Sequence, residues 1–357
     1  MVRRIRKLLV ANRSEIAIRV MRAAAEMGIG TVSIYSYSDR YALHRFKADE
    51  SYLVGEGKGP VEAYLDIGGL IAVARSAGVD AIHPGYGFLA ENPDLAAACA
   101  AADLIFIGPP PEVMRRLGNK VEARALAVRA KVPVMPATAA LPRDPAEVAR
   151  LARGIGYPVM VKASWGGGGR GVRAVEREED LEALVESARR EAAAAFGNDE
   201  AYIEKLVRRA RHVEVQILAD AHGNVVHLHE RDCSVQRRHQ KVIERSPAPY
   251  LDDAQRARLC DFALAIAREA GYRNAGTVEF LQDAETGEFY FIEVNPRIQV
   301  EHTVTECVTG VDIVKAQIRI AEGVALDDPE SGVPPQSRIA LHGHAIQCRV
   351  TTENPEL

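Results

Sequence analysis

The sequence predicts a mixed α/β and α+β chain, with an open parallel α/β domain first and antiparallel sheets backed by helices after it. Three observations carry this reading. Short apolar strands alternate with helical segments over the first third of the chain, Pro109-Pro110-Pro111 interrupts that rhythm, and strand pairs joined by turns follow. Alternation implies a parallel sheet covered by helices, whereas consecutive strands joined by tight turns imply antiparallel pairing.

Leu8–Val10 reads as a buried strand and Ser14 as the N-cap of a helix. On that helix Ile16, Val20, Ala23 and Met27 recur at helical spacing, and Gly28 is the stop. Thr31–Tyr35 is the next strand, Leu65–Ala77 a helix, Ala81–His83 a short strand, and Leu104–Ile107 a strand closed by Gly108-Pro109-Pro110. From about residue 116 the texture changes. Pro158–Lys162, Gly171–Val175, Ala201–Val207 and His212–Ala219 read as strands, with a helix at Glu178–Ala195. His222-Gly223-Asn224 turns into Val225–Glu230. A helix at Asp253–Ala270 precedes a hairpin, Thr277–Asp283 with Phe289–Asn295, turning at Glu285-Thr286-Gly287. After Gly332-Val333-Pro334-Pro335, Gly343–Thr351 is a last strand, apolar at Ala345, Ile346 and Val350.

The 357 residues suffice for two or three domains, and 47% hydrophobic with 26% charged residues is ordinary globular composition. A net charge of −4 and a pI of about 6.2 provide no global field for nucleic acid or an anionic membrane. Any phosphate site must therefore be local. The five cysteines are scattered without close metal-ligand spacing, which reads as reduced thiols in a cytoplasmic protein. No apolar run is long enough for a membrane span. The basic start, Met1 to Lys7, runs straight into the first strand, so no removable leader is expected.

Three stretches carry chemistry. Gly166-Gly167-Gly168-Gly169-Arg170-Gly171 fits the dinucleotide fingerprint literally, but a strand rather than a helix follows it, and no Lys-Ser/Thr ending marks a P-loop. A flexible loop whose amides close over phosphates remains, flanked by Lys162, against the plainer reading of a surface turn. In the second stretch, a hairpin symmetric about Thr286 sets Glu279 opposite Glu293, with Asn295 on the same face. Opposed carboxylates destabilise a sheet by up to about 1 kcal/mol, unless a cation lies between them. Oxygen ligands of this kind suit magnesium. Arg297, Gln299 and Glu301 extend the same polar alternation into a site floor. The third stretch, Glu230 to Lys241, is a dense polar loop between strand and helix and by itself a weak anion site. His83-Pro84-Gly85-Tyr86-Gly87-Phe88 is a glycine-rich turn, structural or ligand-binding. His212, His227 and His229 sit on strands, where hydrogen-bonded structural histidines are the default.

Together these stretches resemble the biotin carboxylase component of biotin-dependent carboxylases, an ATP-grasp enzyme. Ala11 to Ala17, His83 to Phe88, Lys162 to Gly171, Glu230 to Lys241 and Glu293 to His302 occur in the family's order across nearly the whole chain. Ser164-Trp165, Glu293 to Arg297 and Gln347 to Glu353 tilt the resemblance toward the pyruvate carboxylase type. It implies a biotin carboxylase N-terminal (pre-ATP-grasp) domain over 1–115 and an ATP-grasp domain over 116–330, with a mobile lid at about 136–204. Residues 331–357 would begin a C-terminal domain left incomplete. The implied ligands are ATP, Mg²⁺ (or Mn²⁺), bicarbonate, and biotin carried on a domain absent from this chain. The implied partners are biotin carrier and carboxyltransferase domains or subunits, in a homo-oligomer.

By the same resemblance, Lys120, Lys162 and the amides of Gly166, Gly167, Gly168 and Gly169 would hold ATP phosphates. Glu204, Lys205, Leu206 and Val207 would clamp adenine. His212 and Gln236 would position the ribose and phosphates, and His239 would approach the phosphate tail. Glu279, Glu293 and Asn295 would hold the metals, and Arg297, Gln299 and Val300 would position bicarbonate, with Lys241 nearby. Glu301 would be the general base, and Arg349 would stabilise the charge developing on biotin. Other acceptors (acetyl-CoA or propionyl-CoA), and a nucleotide-binding fragment without turnover, remain as alternatives.

Overall fold

Five strands, β1 (Lys7–Val10), β2 (Gly30–Tyr35), β3 (Glu50–Leu53), β4 (Ala81–His83) and β5 (Ile105–Phe106), form a parallel sheet in the order β3-β2-β1-β4-β5. The computed structural model describes residues 2–165, 172–238 and 240–351. Parallel neighbours require crossovers, and the helices α1 (Ser14–Glu26), α2 (Ile67–Ser76) and α3 (Pro93–Ala101) supply most of them. Helix α1 buries Ile16, Val20, Ala23 and Ala24, and Gly28 follows it at a φ of 72°. Ser14 does not cap this helix. It is the first helical residue, with a φ of 57°, and the cap position belongs to Arg13 without a side-chain bond. The neighbouring Asn12 is engaged elsewhere, its amide donating to Pro84 O and Tyr86 O at 2.8 Å each. Those bonds fix the His83–Phe88 turn as a structural joint. Helix α2 starts later than its apolar spacing suggests, because Asp66 caps it by accepting from Gly69 N at 3.1 Å.

Helices α4 (Pro111–Gly118) and α5 (Lys120–Arg129) lead into a three-stranded antiparallel sheet of order β7-β6-β8. Its strands are β6 (Val159–Ala163), β7 (Arg173–Val175) and β8 (Ala201–Lys205), covered by α6 (Pro145–Ile155) and α7 (Leu181–Phe196). Val148, Val159, Val161, Val185 and Ile203 give this unit its own core.

The largest sheet has six strands in the order β13-β12-β9-β10-β11-β14, every neighbour antiparallel. The strands are β9 (Ala210–Ala219), β10 (Val225–Arg237), β11 (Gln240–Ser246), β12 (Asn274–Asp283), β13 (Phe289–Asn295) and β14 (Ala345–Cys348). Helix α8 (Asp253–Ala270) begins in a reciprocal capping box between Asp252 and Gln255 and packs Leu259, Ala263 and Ile266 beneath Val213, Val215 and Phe280. Helices α9 (His302–Thr309) and α10 (Ile313–Ala321) follow β13. Among the described residues no helix is long and apolar enough to cross a membrane.

Three local expectations are corrected. The polar stretch from Glu230 to Lys241 is not a loop leading to a helix, because β10 runs on to Arg237 and pairs with β11. Its charges tolerate a sheet because they are matched, as Asp232 is with Arg245 directly opposite. Residues 296–301 do not continue the strand alternation. Strand β13 ends at Asn295, and the following loop turns its polar side chains back toward the sheet. The last strand is shorter than Gly343–Thr351, and Ile346 and Val350 face solvent at 62% and 94% exposure.

Candidate active site

A file of charged residues crosses the large sheet. Arg231 on β10 pairs with Glu214 on β9, Glu214 with Glu279 on β12, and Glu279 with Glu293 on β13, so all four share one face. The expected pairing of Glu279 with Glu293 is present. The register shifts at the next residue, Phe280 facing Phe291, so the symmetry about Thr286 holds only on the site side. A second file, Gln216, Thr277 and Asn295, runs parallel two residues along.

Three carboxylates in a row would repel, and cations from four other directions offset that repulsion. Lys241 reaches across from β11 to Glu214, to Glu279 at 2.7 Å and to Glu301 at 2.8 Å. His212 Nε2 lies 3.1 Å from Glu279 Oε2, and Lys120 Nζ 3.1 Å from Glu293 Oε2. Arg231, completely buried, donates from Nε to Glu214 at 2.6 Å, from Nη1 to Gln216 and Thr305, and from Nη2 to Thr277 and Gln299. All five guanidinium N–H groups thus have acceptors. Gln299 passes this order on, its amide donating to Glu279 Oε1 at 3.0 Å.

Burial opposes every one of these charges, and the pairing decides their state. For Glu279 burial raises the pKa, but Lys241 and His212 outweigh it and hold the carboxyl well below the usual range. For Lys241 burial lowers the pKa, but Glu214 and Glu279 push it well above the ordinary value. His212 is likewise lowered by burial and then raised by Glu279, to about 9.

Around this file lie further charged groups. Glu301, at the start of α9 and 2% exposed, has Lys241 on Oε1 and Arg349 on Oε2, the latter at 3.0 Å. Arg349 also donates to Glu244. Arg297 donates to Asn295 Oδ1 at 3.1 Å and pairs with Glu91 of the parallel α/β domain. At the far end Lys162 pairs with Glu204. Lys205 directs its ammonium to Gly156 O at 2.9 Å and Tyr157 O at 3.2 Å. Gln236 donates to Cys233 O.

Every expected site residue within the described part of the chain lines one cleft of about 580 Å³: the two phosphate lysines, the Glu204–Val207 segment, His212, Gln236, the metal-type acids, and the group around Glu301. One end of the cleft is apolar where Met135, Met160, Leu206, Leu281 and Ile292 meet, a lining suited to a flat ring. Gly166, Gly167, Gly168, Gly169 and His239 lie outside the described residues. Sequence reasoning missed Glu214, Arg231, Glu244 and Glu91, which orient the expected residues, together with the two methionines. The only local sign was the alternation of β9, which carries Glu214 and Gln216 between Val213, Val215 and Ile217.

Comparison with known proteins agrees with this geometry. Residues 119–329 match the family described as carbamoyl-phosphate synthase L chain, ATP binding domain, and residues 4–114 match the biotin carboxylase N-terminal domain. Pyruvate carboxylase of Bacillus subtilis (strain 168) is 53% identical over 99% of this chain and 30% of its own length. The structure of Rhizobium etli pyruvate carboxylase with the allosteric activator acetyl coenzyme-A has a TM-score of 0.95 and 64% identity, over 99% of this chain and 31% of that one. The biotin carboxylase domain of Hydrogenobacter thermophilus 2-oxoglutarate carboxylase, solved with MgADP, ADP and bicarbonate, has a TM-score of 0.93 and 46% identity over 99% of this chain and 76% of that one. The chain spans 30% of the length of the first curated relatives it matches. A biotin carboxylase domain matched along three quarters of its own length, together with both family models, shows that this chain belongs to the biotin carboxylase family of ATP-dependent carboxylase ligases.

Proposed function

We propose that this chain carboxylates biotin at the expense of ATP and bicarbonate, as the first half-reaction of a pyruvate carboxylase. The observation that carries the reading is the Glu301 carboxylate, fixed between Lys241 and Arg349 at one end of a cleft whose other end is apolar and flanked by Lys120 and Lys162. Bicarbonate bound by Arg297, Gln299 and the Val300 backbone gives its proton to Glu301. Its oxygen attacks the terminal phosphorus of ATP, the bond from that phosphorus to the β-phosphate oxygen breaks, and carboxyphosphate and ADP form. Lys120, Lys162 and Lys241 stand ready to meet the developing negative charge, as phosphoryl transfer requires. The C–O bond of carboxyphosphate then breaks to give carbon dioxide and inorganic phosphate; that phosphate takes the proton from biotin N1 beside Arg349, and N1 bonds to carbon dioxide to form carboxybiotin.

Glu279, Glu293 and Asn295 fit a hard divalent cation such as Mg²⁺ or Mn²⁺, because they offer oxygen donors on one face and Glu279 is held ionised by its neighbours. When bound, the ion would neutralise phosphate charge. The Glu204–Val207 segment and the methionines would hold the adenine, with His212 and Gln236 nearer the ribose and phosphates. Identities of 53% to 55% to pyruvate carboxylases of bacteria and mammals, over 98% to 99% of this chain, support pyruvate as final acceptor. On this reading the chain divides at 1–115, 116–330 and 331–357, works in a cytoplasmic homo-oligomer, and serves biotin carrier and carboxyltransferase domains.

The test is phosphate release from ATP, measured with and without bicarbonate and free biotin. Release that depends on bicarbonate and rises with biotin is expected. Release indifferent to both would overturn the proposal.

A further inference from the structure

We propose that His227, His229 and Cys260 form a Zn²⁺ site on the face of β10 turned away from the ATP cleft. Strand β10 and helix α8 bring the three together, and one potential ligand atom from each lies within 4.8 Å of the others. His227 pairs with Ile217, whose side chain belongs to the core under α8, while Arg231 farther along the strand faces the cleft. The register of β10 shifts between His227 and Glu230, and within that bulge His229 has a φ of 61°. A non-glycine residue in the left-handed region is held there by its surroundings, and such positions cluster where a side chain must be aimed. Here the bulge sets the two imidazoles nearly perpendicular, at 82°, with centroids 5.0 Å apart.

The protonation of His229 follows from its contacts. Its Nε2 faces the Ile339 carbonyl at 3.1 Å, and a carbonyl only accepts, so Nε2 carries the proton. The other nitrogen, Nδ1, is buried and has no hydrogen-bond partner. An imidazole with one nitrogen tied to a backbone carbonyl and the other bare is the arrangement of a metal-ligating histidine with its supporting bond in place. His227 Nδ1 accepts from His229 N at a long 3.3 Å, a contact that a metal could replace.

Two neutral imidazoles and one thiolate suit zinc, a borderline-soft ion, better than magnesium or calcium. Tetrahedral zinc at bonds of about 2.0–2.3 Å needs ligand atoms roughly 3.3–3.6 Å apart, so side-chain rotations of about 1 Å would close the site. Cys260 is 1% exposed and would bind the metal as a thiolate. Binding therefore replaces the S–H bond with an S–Zn bond and releases one proton to solvent. The fourth position is left for water. Glu230, next along the strand, is already engaged by Arg256 and the Ala248 amide. The ion would tie β10 to α8 beside the Gln336–Ile339 segment, whose Gln336 side chain bonds both backbone groups of His227.

The test uses chelator-treated chain carrying Cys307→Ser and Cys348→Ser, which removes the two exposed thiols. It is titrated with zinc alone, and bound metal and released protons are counted. Cobalt is then substituted to look for thiolate-to-cobalt absorption. One zinc and one proton per chain are expected. His229→Asn, which tolerates positive φ, and Cys260→Ala should each weaken binding at least tenfold, and Cys260→Ala should abolish the cobalt band. Phosphate release by both variants should stay within twofold of the parent, which also reports that they are folded. Failure to retain zinc, or equal retention in both variants, would overturn the site.

Discussion

Arg349 Nη2 donates to Glu301 Oε2 at 3.0 Å, and Lys241 Nζ occupies the other oxygen at 2.8 Å. Arg349 lies just past β14, Glu301 in the turn before α9 and Lys241 on β11, so the sheet edge and a helix start meet at one carboxylate. Arg349 is itself held by Glu244, directly across from Gln347 on the neighbouring strand. Glu301→Gln keeps the shape of this junction and removes the base. It should leave MgATP affinity within a fewfold of the parent and lower bicarbonate-dependent ATP cleavage by about 10²–10⁴. Near-normal cleavage in this variant would remove Glu301 from the base role.

Glu279 and Glu293 differ in what else they hold. Glu293 pairs with Lys120, whereas Glu279 accepts from Lys241, Asn295 and Gln299 and adjoins His212. Loss of even an outer-shell partner typically costs about 10–100-fold in metal affinity. Glu293→Gln should therefore raise the Mg²⁺ concentration for half-maximal phosphate release by at least about tenfold, with the rate recovering at high Mg²⁺. Glu279→Gln should not recover, because it also removes the charge that His212 and Lys241 share. A Mg²⁺ requirement unchanged in both would rule out the metal assignment.

Local chemistry made much of this legible in the sequence. Asp253–Ala270 carries helical periodicity between an Asp cap and Gly271, and the structure has that helix. Ala81–His83 and the register of Glu279 with Glu293 are equally local, since turn length fixes hairpin pairing. The rest depends on partners far along the chain. Arg231 looks like one more cation in a polar run, yet among the described residues it is the largest fully buried side chain, and its partners at Thr277, Gln299 and Thr305 lie 46 to 74 residues away. The Arg297 contact to Glu91 spans 206 residues. The β10–β11 hairpin was hidden because charge matching between strands, rather than apolar alternation, makes it tolerable.

His83 offers a pH dependence. It is fully buried, its Nδ1 accepts from Gly85 N at 3.0 Å, and burial lowers its pKa to about 4. An unfolded histidine titrates near 6.5, so the unfolded chain takes up this proton first. Stability is thus intact above about pH 6.5 and is lost as pH falls toward 4, by on the order of 3 kcal/mol for this one group. In His83→Asn the amide oxygen can replace Nδ1 as acceptor without titrating. Urea unfolding at pH 7 and pH 4.5 should show a smaller loss for the variant than for the parent. Equal losses would mean that His83 does not titrate with unfolding.

Arg231 and Glu214 allow structural and catalytic roles to be separated. Both are completely buried, joined Nε to Oε1 at 2.6 Å, and Arg231 also holds the Gln299 amide oxygen at 2.9 Å. Removing one partner of a buried pair typically costs about 3–5 kcal/mol, whereas replacing both with apolar groups is often nearly neutral. Arg231→Met should therefore destabilise strongly, because Gln216, Thr277, Thr305 and Gln299 all lose a donor and Glu214 retains only Lys241 and, at 3.8 Å, His212. Arg231→Met combined with Glu214→Leu should regain, in urea unfolding, the part of that stability lost to the unpaired Glu214 carboxylate, and not the part lost at Gln216, Thr277, Thr305 and Gln299. It should not regain activity, because Gln299, the proposed bicarbonate ligand, no longer has the guanidinium that fixes its orientation. A group misplaced by about 1 Å can cost on the order of 10² in rate. The double variant should accordingly be more stable than Arg231→Met alone, with a raised KM for bicarbonate and a little-changed KM for ATP. A double variant that recovered both stability and the bicarbonate KM would reduce Arg231 to a packing element and leave Gln299 oriented by Glu279 alone.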